Sequence, residues 1–272
     1  MKSLVSYIMQ KDVVIDGHIH LFNWEEPIVG KIPHENNPNT KMVGFMDIEF
    51  DNIEKYNTLR LYDEFVKNHY DPDSHILLAT GTNIEDISEV YNKHKDIIRG
   101  FGELKCYDQY QGIPINYKKI SLVRDVAKFS SKNGNLPVYV HWELNKKSDV
   151  VKFEKVLKDF PGVPIVLCHC GINEKYGEYA YSVAQKLSRM YGNLWLDISY
   201  TAINFFYEKP WLLFQLPSDR MFIGSDLNNK SYDPKHNFDK DYKNMTDKLL
   251  LINKYMSRNN STLNLKKLFK ES

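Results

Sequence analysis

Short apolar runs rich in Val and Ile alternate with longer amphipathic stretches along most of the chain. Such runs predict buried strands, and the stretches between them predict helices packed against a parallel sheet. An additional run, Met42 to Asp47, would bring the strand count to that of a closed (β/α)₈ barrel. The other seven predicted strands are Val13 to His20, His75 to Gly81, Ile97 to Lys105, Leu136 to His141, Val163 to His169, Asn193 to Ser199 and Arg220 to Asp226.

The predicted helices lie between these strands. Ser148 is expected to begin and cap one of them, because a Ser side chain can accept a hydrogen bond from the first helical turn. No linker or internal repeat suggests a boundary, so residues 1–272 are interpreted as one α/β domain, a distorted (β/α)₈ TIM barrel with C-terminal closing helices. The predicted helices are Asn52 to Asn68, Ile84 to Lys95, Tyr117 to Lys132, Ser148 to Asp159 and Glu178 to Met190, with closing helices at Asp241 to Tyr255 and Leu263 to Phe269 after a polar loop, Leu227 to Lys240.

Composition narrows the classes of partner. The chain has 36 basic and 35 acidic residues, a formal net charge of +1, which favours neither nucleic acid nor an anionic membrane. No apolar run approaches the roughly 18 residues that a membrane-spanning helix needs. The three cysteines show no disulfide spacing, so a cytoplasmic location is expected. The balanced charge fits a small-molecule substrate better than a polyanion, and homo-oligomerisation is left open.

Side chains that bind metals occur at the ends of several predicted strands. Residues two apart in a strand share a face, so His18 and His20 are expected to point the same way. In (β/α)₈ enzymes the active site is built where the strands end. Imidazole and carboxylate groups there are ligands for zinc, manganese or iron. The further strand-end candidates are Glu103, Lys105, His141, His169 and Asp226.

Other residues near these ends have simpler interpretations. Strand alternation places Cys168 and Cys170 on the face opposite His169, as core cysteines. Asp197 is expected to be a structural hydrogen-bond acceptor, and Lys105 to leave its strand toward the loops. Three residues are candidates for substrate binding because they follow His141 or lie in the long loop after the first strand, namely Trp24, Trp142 and Glu143.

Six stretches, in order along the chain, combine a predicted strand with these side chains or with its continuation. They are Ile15 to His20, Gly102 to Lys105, Leu136 to His141, Val163 to Gly171, Asn193 to Ser199 and Asp219 to Asp226. Together they resemble the amidohydrolase superfamily, in particular its amidohydrolase-related (amidohydrolase-2) branch. The resemblance implies a distorted barrel with one or two divalent metals, zinc first, at its C-terminal mouth. It also implies the ligands His18 and His20 from strand 1, Glu103 from strand 4, His141 from strand 5, His169 from strand 6 and Asp226 from strand 8.

The resemblance further implies a mechanism. The metal lowers the pKa of a bound water and polarises a carbonyl, while Asp226 acts as general base. His169 is implied to be either a ligand of a second metal or a hydrogen-bond donor to the developing oxyanion. A bridging Glu103 would give a binuclear site, as in TatD-type nucleases; otherwise the site is mononuclear, as in the family's decarboxylases and lactonases. Lys105 could alternatively be carboxylated.

Three functions remain in competition. The first is hydrolysis of an amide, ester or lactone of a small molecule. The alternative is a mononuclear zinc, non-oxidative decarboxylase of a small unsaturated or aromatic acid. A TatD-like nuclease is disfavoured, because the chain has no basic stripe to hold a phosphate backbone. A non-enzymatic scaffold is not expected, since no ligand of the family pattern is missing.

Overall fold

The computed structural model describes residues 14–22, 40–46, 58–68, 70–73, 75–106, 117–173, 175–224, 226, 248, 252, 256 and 260–270. Its centre is a parallel sheet of eight strands in sequence order. The strands are β1 (Val14–Phe22), β2 (Thr40–Met46), β3 (His75–Ala79), β4 (Ile98–Lys105), β5 (Val138–His141), β6 (Ile165–Leu167), β7 (Leu194–Ile198) and β8 (Met221–Ile223).

Helices within the described residues lie between the strands and after β8. They are α1 (Thr58–Asn68), α2 (Ile84–His94), α3 (Tyr117–Lys132), α4 (Lys147–Asp159), α5 (Gly177–Met190), α6 (Thr201–Glu208) and α7 (Asn260–Phe269), with short 3-10 segments at Cys168–Gly171 and Pro210–Gln215.

The sheet curls until its first and last strands meet. The backbone N–H of Asp226 donates to the carbonyl oxygen of His18 over 2.8 Å. Gly224 makes the approach possible, because a Cβ on it would lie 2.4 Å from the Cβ of His18. The predicted (β/α)₈ barrel is therefore confirmed, including β2 as its additional strand.

The barrel interior and the layer beneath the helices form two separate apolar clusters. Side chains of alternate strand residues fill the interior, among them Leu78, Tyr139, Val166 and Phe222, and α7 adds Leu265, Leu268 and Phe269. The Tyr139 and Phe269 rings stack with centroids 6.5 Å apart. Because α7 packs near the start of β4, where Gly100 faces Phe269, it closes the end of the barrel opposite the strand termini.

Several predicted details need correction. Helix α4 begins at Lys147, and the Ser148 hydroxyl contacts Asp149 Oδ1 at 3.3 Å instead of capping the first turn. Sequence analysis did not predict α6 or the Pro210–Gln215 turn. The polar segment 227–240 lies outside the described residues, as does the predicted helix 241–255 apart from residues 248 and 252. In the part of the chain that is described, no helix has the length and apolarity to cross a membrane.

Candidate metal centre

A cluster of imidazoles and carboxylates lies where the strands end. His141 Nδ1 is 2.9 Å from Glu103 Oε1, and His169 Nε2 is 3.5 Å from the same oxygen. His18 Nε2 is 3.0 Å from Asp226 Oδ1, and the other Asp226 oxygen is 3.9 Å from His169 Nε2. The barrel thus brings together five of the six predicted metal ligands from β1, β4, β5 and the ends of β6 and β8.

These atoms are close enough to share a cation. One ligand atom from each of His18, Glu103 and His169 lies within 4.8 Å of the other two, and all three residues are buried. His20, the sixth predicted ligand, lies in β1 opposite Phe45 of β2, but its side chain is not among those described. Lys105 pairs with His141 in the strand register and is half-buried.

Asp197, on β7, orients two of the histidines. Its Oδ2 accepts from His18 Nδ1 at 2.5 Å and from the Ser199 hydroxyl at 2.8 Å. Since that hydroxyl gives its proton to Asp197, its oxygen accepts from the Nδ1–H of His169, 2.8 Å away. Both histidines therefore carry hydrogen on Nδ1 and, when neutral, present a lone pair on Nε2 toward the cluster.

The ionisation of Glu103 and His141 suits metal ligation. Burial alone would raise the pKa of Glu103, but His141, His169 and His18 hold it well below its usual value. Burial and the nearby His169 lower the pKa of His141 to about 4. At neutral pH the pair is therefore a carboxylate and a neutral imidazole, the forms that bind metal.

His18 and His169 behave differently in the metal-free protein. Burial opposes their protonation, but Asp197 and Asp226 raise the pKa of His18 well above its usual value. Asp226 and Glu103 likewise raise the pKa of His169 against the effect of burial. Protons on these rings balance the surrounding carboxylates, and a divalent cation would take over that role.

The backbone departs from regular geometry where these side chains are presented. His169 and Asp226 have φ angles of 53° and 54°, in the left-handed region that side-chain-bearing residues rarely adopt. Each such residue costs on the order of 1–3 kcal/mol, and such residues concentrate at functional sites. The register of β1 is also irregular between Asp16 and Ile19, next to His18.

This geometry corrects the interpretation of Cys168. The interior face of β6 carries Val166 and then Cys168, so strict alternation would turn His169 outward. The positive φ of His169 rotates its side chain back into the site instead. Cys168 therefore lies inside the barrel, near His18 and Asp197, whereas Cys170 lies in the outer core as predicted.

A cavity of about 350 Å³ opens beside the cluster. It is lined by His141, Glu143, His169, Ile172, Asn173, Lys175, Tyr200 and Thr201. Glu143, one of the three residues predicted to bind substrate, is among the residues that line it. Ser199, Asn173 and Tyr200 were not predicted, although the position of Ser199 two residues after Asp197 on one strand face was a usable signal.

Of the two tryptophans proposed to bind substrate, Trp142 belongs to the described residues and does not line this cavity. Trp142 is fully buried in the outer core, with its ring 5.4 Å from that of Phe153 on α4. Its role is packing, because the residue after an inward-facing His141 points to the opposite face of the strand. Trp24 lies outside the described residues.

Solved structures share this fold. A probable 2-pyrone-4,6-dicarboxylic acid hydrolase from Acinetobacter baumannii superposes with a TM-score of 0.60 at 16% identity, covering 95% of this chain and 99% of that one. An amidohydrolase from Burkholderia multivorans superposes with a TM-score of 0.62 at 10% identity, covering 96% of this chain and 100% of that one. A TatD family hydrolase from Entamoeba histolytica superposes with a TM-score of 0.58 at 11% identity, covering 96% of this chain and 99% of that one.

These similarities confirm the expected (β/α)₈ barrel fold, which this chain shares with the hydrolase structures named above. No protein-family model matches the chain, and no curated protein matches it in sequence.

Proposed function

We propose that this chain is a metal-dependent hydrolase that acts on an amide, ester or lactone of a small molecule. The observation that carries the proposal is the convergence of His18, Glu103 and His169 within 4.8 Å at the strand ends, with Asp226 beside them. The shared fold with hydrolase structures supports the same reaction class.

The donor set fits a divalent cation. Two imidazole Nε2 atoms and carboxylate oxygens are the ligands that zinc favours, and manganese or iron accept them too. We propose that His18, His20, Glu103, His141, His169 and Asp226 supply the ligands for one tightly held zinc or, shared between them, for two ions. Glu103 Oε1 lies near both His141 and His169, a position from which it could bridge two ions.

When bound, the cation would supply an activated water and polarise the substrate carbonyl. Asp226 is the proposed general base, since its carboxylate is near the cluster and is directed by the hydrogen bond from its own backbone N–H to His18. His169 is proposed as a ligand in preference to an oxyanion donor, because its Nδ1–H is committed to Ser199 and its Nε2 offers a lone pair once a cation displaces the second proton of the ring.

The cavity favours a small substrate. Its volume of about 350 Å³ is at the low end of the range typical of small-molecule sites. The net charge of +1 does not favour a polyanion such as DNA. Cytoplasmic location and homo-oligomerisation stay predictions from the sequence.

The test begins with metal content. Purified protein should hold about one to two equivalents of zinc, and chelation should abolish hydrolysis of a panel of esters, lactones and amides, measured as formation of the carboxylate product. Asp226→Asn should lower kcat by at least about 100-fold, within the range attributed to general bases, and still bind zinc. Glu178→Gln, an exposed substitution on α5, serves as the control with an equal change of charge.

Three results would overturn the proposal. Full activity in metal-free protein would exclude metal-dependent hydrolysis. Release of carbon dioxide without consumption of water would identify the alternative, a non-oxidative decarboxylase. DNA incubated with the protein and Mg²⁺ or Mn²⁺ should remain intact; digestion would identify a nuclease.

A further inference from the structure

The side chain of Glu143 adds a fixed negative charge to the cavity beside the metal centre. Glu143 follows β5 two residues after His141, and both residues line the cavity together with His169. Glu143 is not one of the clustered ligands described above. Its carboxylate is therefore available to a bound molecule instead of the cation.

Two asparagines hold this carboxylate in place. The side-chain amides of Asn145 and Asn173 both donate to Glu143 Oε2, the second over 2.9 Å. Asn173 is itself locked, because its Oδ1 accepts from the backbone N–H groups of Lys175 at 3.0 Å and Tyr176 at 2.8 Å. These bonds fix which end of the Asn173 amide faces Glu143.

The second oxygen of Glu143 is left for a ligand. Among the described residues, no donor reaches Oε1, and no basic side chain lies within ion-pair distance of the carboxylate. Lys175, the basic residue of the cavity lining, is exposed, and its ammonium lies 5.3 Å from the centre of the Tyr176 ring.

This arrangement discriminates by charge. A fixed carboxylate forms a strong, charge-assisted hydrogen bond with an ammonium group. It repels a substrate carboxylate at the same place, and the repulsion is stronger than it would be in bulk water because Glu143 is half-buried. Neutral donors such as hydroxyl groups should fall between these extremes.

We propose that Glu143 determines substrate specificity by selecting molecules that carry an ammonium group away from the scissile bond and by rejecting carboxylates at that position. The inference rests on the proposed function, because the metal would anchor the other end of the molecule. It separates this chain from a structural neighbour whose name denotes a dicarboxylic acid substrate.

The test uses hydroxamic acids, which chelate zinc without being turned over. Two series of equal chain length, two to four carbons, end in an ammonium or a carboxylate group. Calorimetry would measure their Kd values on zinc-loaded wild type, on Glu143→Gln and on Glu178→Gln. Gln can still accept from both asparagines, while the group that it offers to the cavity is a donor.

We expect the wild type to bind the best ammonium compound at least tenfold more tightly than its carboxylate match. Glu143→Gln should reduce that ratio tenfold or more, and Glu178→Gln should keep it. Zinc content, measured first, separates the two hypotheses. Failure of the wild type to bind zinc, manganese or iron would overturn the proposed function and the inference together; metal bound without this discrimination would overturn the inference alone.

Discussion

Asp197 is the residue on which the orientation of two histidines depends. It holds His18 directly and His169 through Ser199, so that one carboxylate sets the Nδ1–H tautomer of both rings. The sequence-based expectation of a structural hydrogen-bond acceptor is confirmed, and the structure identifies what it orients. Removal of a group that orients a metal-binding histidine typically weakens metal affinity by about 10- to 100-fold.

Replacing Asp197 by Asn should therefore weaken zinc binding without removing a ligand. An amide has no charge to hold the Nδ1–H of His18, so we expect the zinc Kd to rise about 10- to 100-fold. Competition with a chromophoric chelator would measure it. Ser199→Ala should cause a smaller loss, because it releases His169 alone. An unchanged Kd in Asp197→Asn would show that the hydrogen bonds to Asp197 do not support the site.

At the scale of strands and helices, the close contact between β1 and β8 aligns His18 with Asp226. A Cβ at Gly224 would lie 2.4 Å from the Cβ of His18 and 2.6 Å from its backbone N. Neither atom belongs to a flexible side-chain end, so the strands themselves would have to separate. The same step that opens the barrel seam would move two proposed ligands apart.

Gly224→Ala should thus reduce both stability and zinc content. We expect the free energy of unfolding to fall by at least about 1–3 kcal/mol, the usual cost of overpacking, and zinc to be retained poorly. Gly192→Ala is the matched control, because nothing lies within 4 Å of its added Cβ and the loss of glycine entropy in the unfolded chain is the same. Equal urea midpoints for the two variants would show that the close contact between Gly224 and His18 does not limit the stability of the barrel.

Elements of regular period could be predicted from sequence, whereas their irregular ends could not. All eight strands and helices such as α3 occur close to their predicted positions. Apolar runs predict the buried strands, and the spacing of apolar residues between them predicts the helices. The prediction that Cys168 points away from the site was wrong. It assumed strict alternation of side chains along the strand, and the positive φ at His169 breaks that alternation. A non-glycine residue held at positive φ by tertiary contacts leaves no sign in the sequence pattern.

Across the whole molecule, barrel closure turns a list of distant residues into a site. His18 and Asp197 are 179 positions apart in sequence and share a hydrogen bond. The order of strand ends was sufficient to predict the convergence of five of the six proposed ligands, the sixth being His20, whose side chain is not described. The pairing of Glu103 with His141 and the bridge through Ser199 depend on side-chain distances that only the closed barrel defines.

The metal-free barrel should also lose stability in mild acid because of His141. Its folded pKa is about 4 against 6.5 ordinarily, so between these values the unfolded chain binds a proton that the folded protein excludes. Stability must therefore fall as the pH falls through this window, by roughly 1.5 kcal/mol between pH 6.5 and about pH 5.

The other titratable residues of the site change stability mainly outside the interval between pH 5 and 6.5. His18 and His169 have raised pKa values and stay protonated in the folded state there, so their stabilisation is lost only as the pH rises above 6.5. The stabilisation from the lowered pKa of Glu103 is present above about 4.5 and declines at lower pH. Urea unfolding of chelator-treated protein at the two pH values would measure the change. His141→Asn should flatten it, and an equally steep loss in that variant would assign the acid sensitivity to other groups.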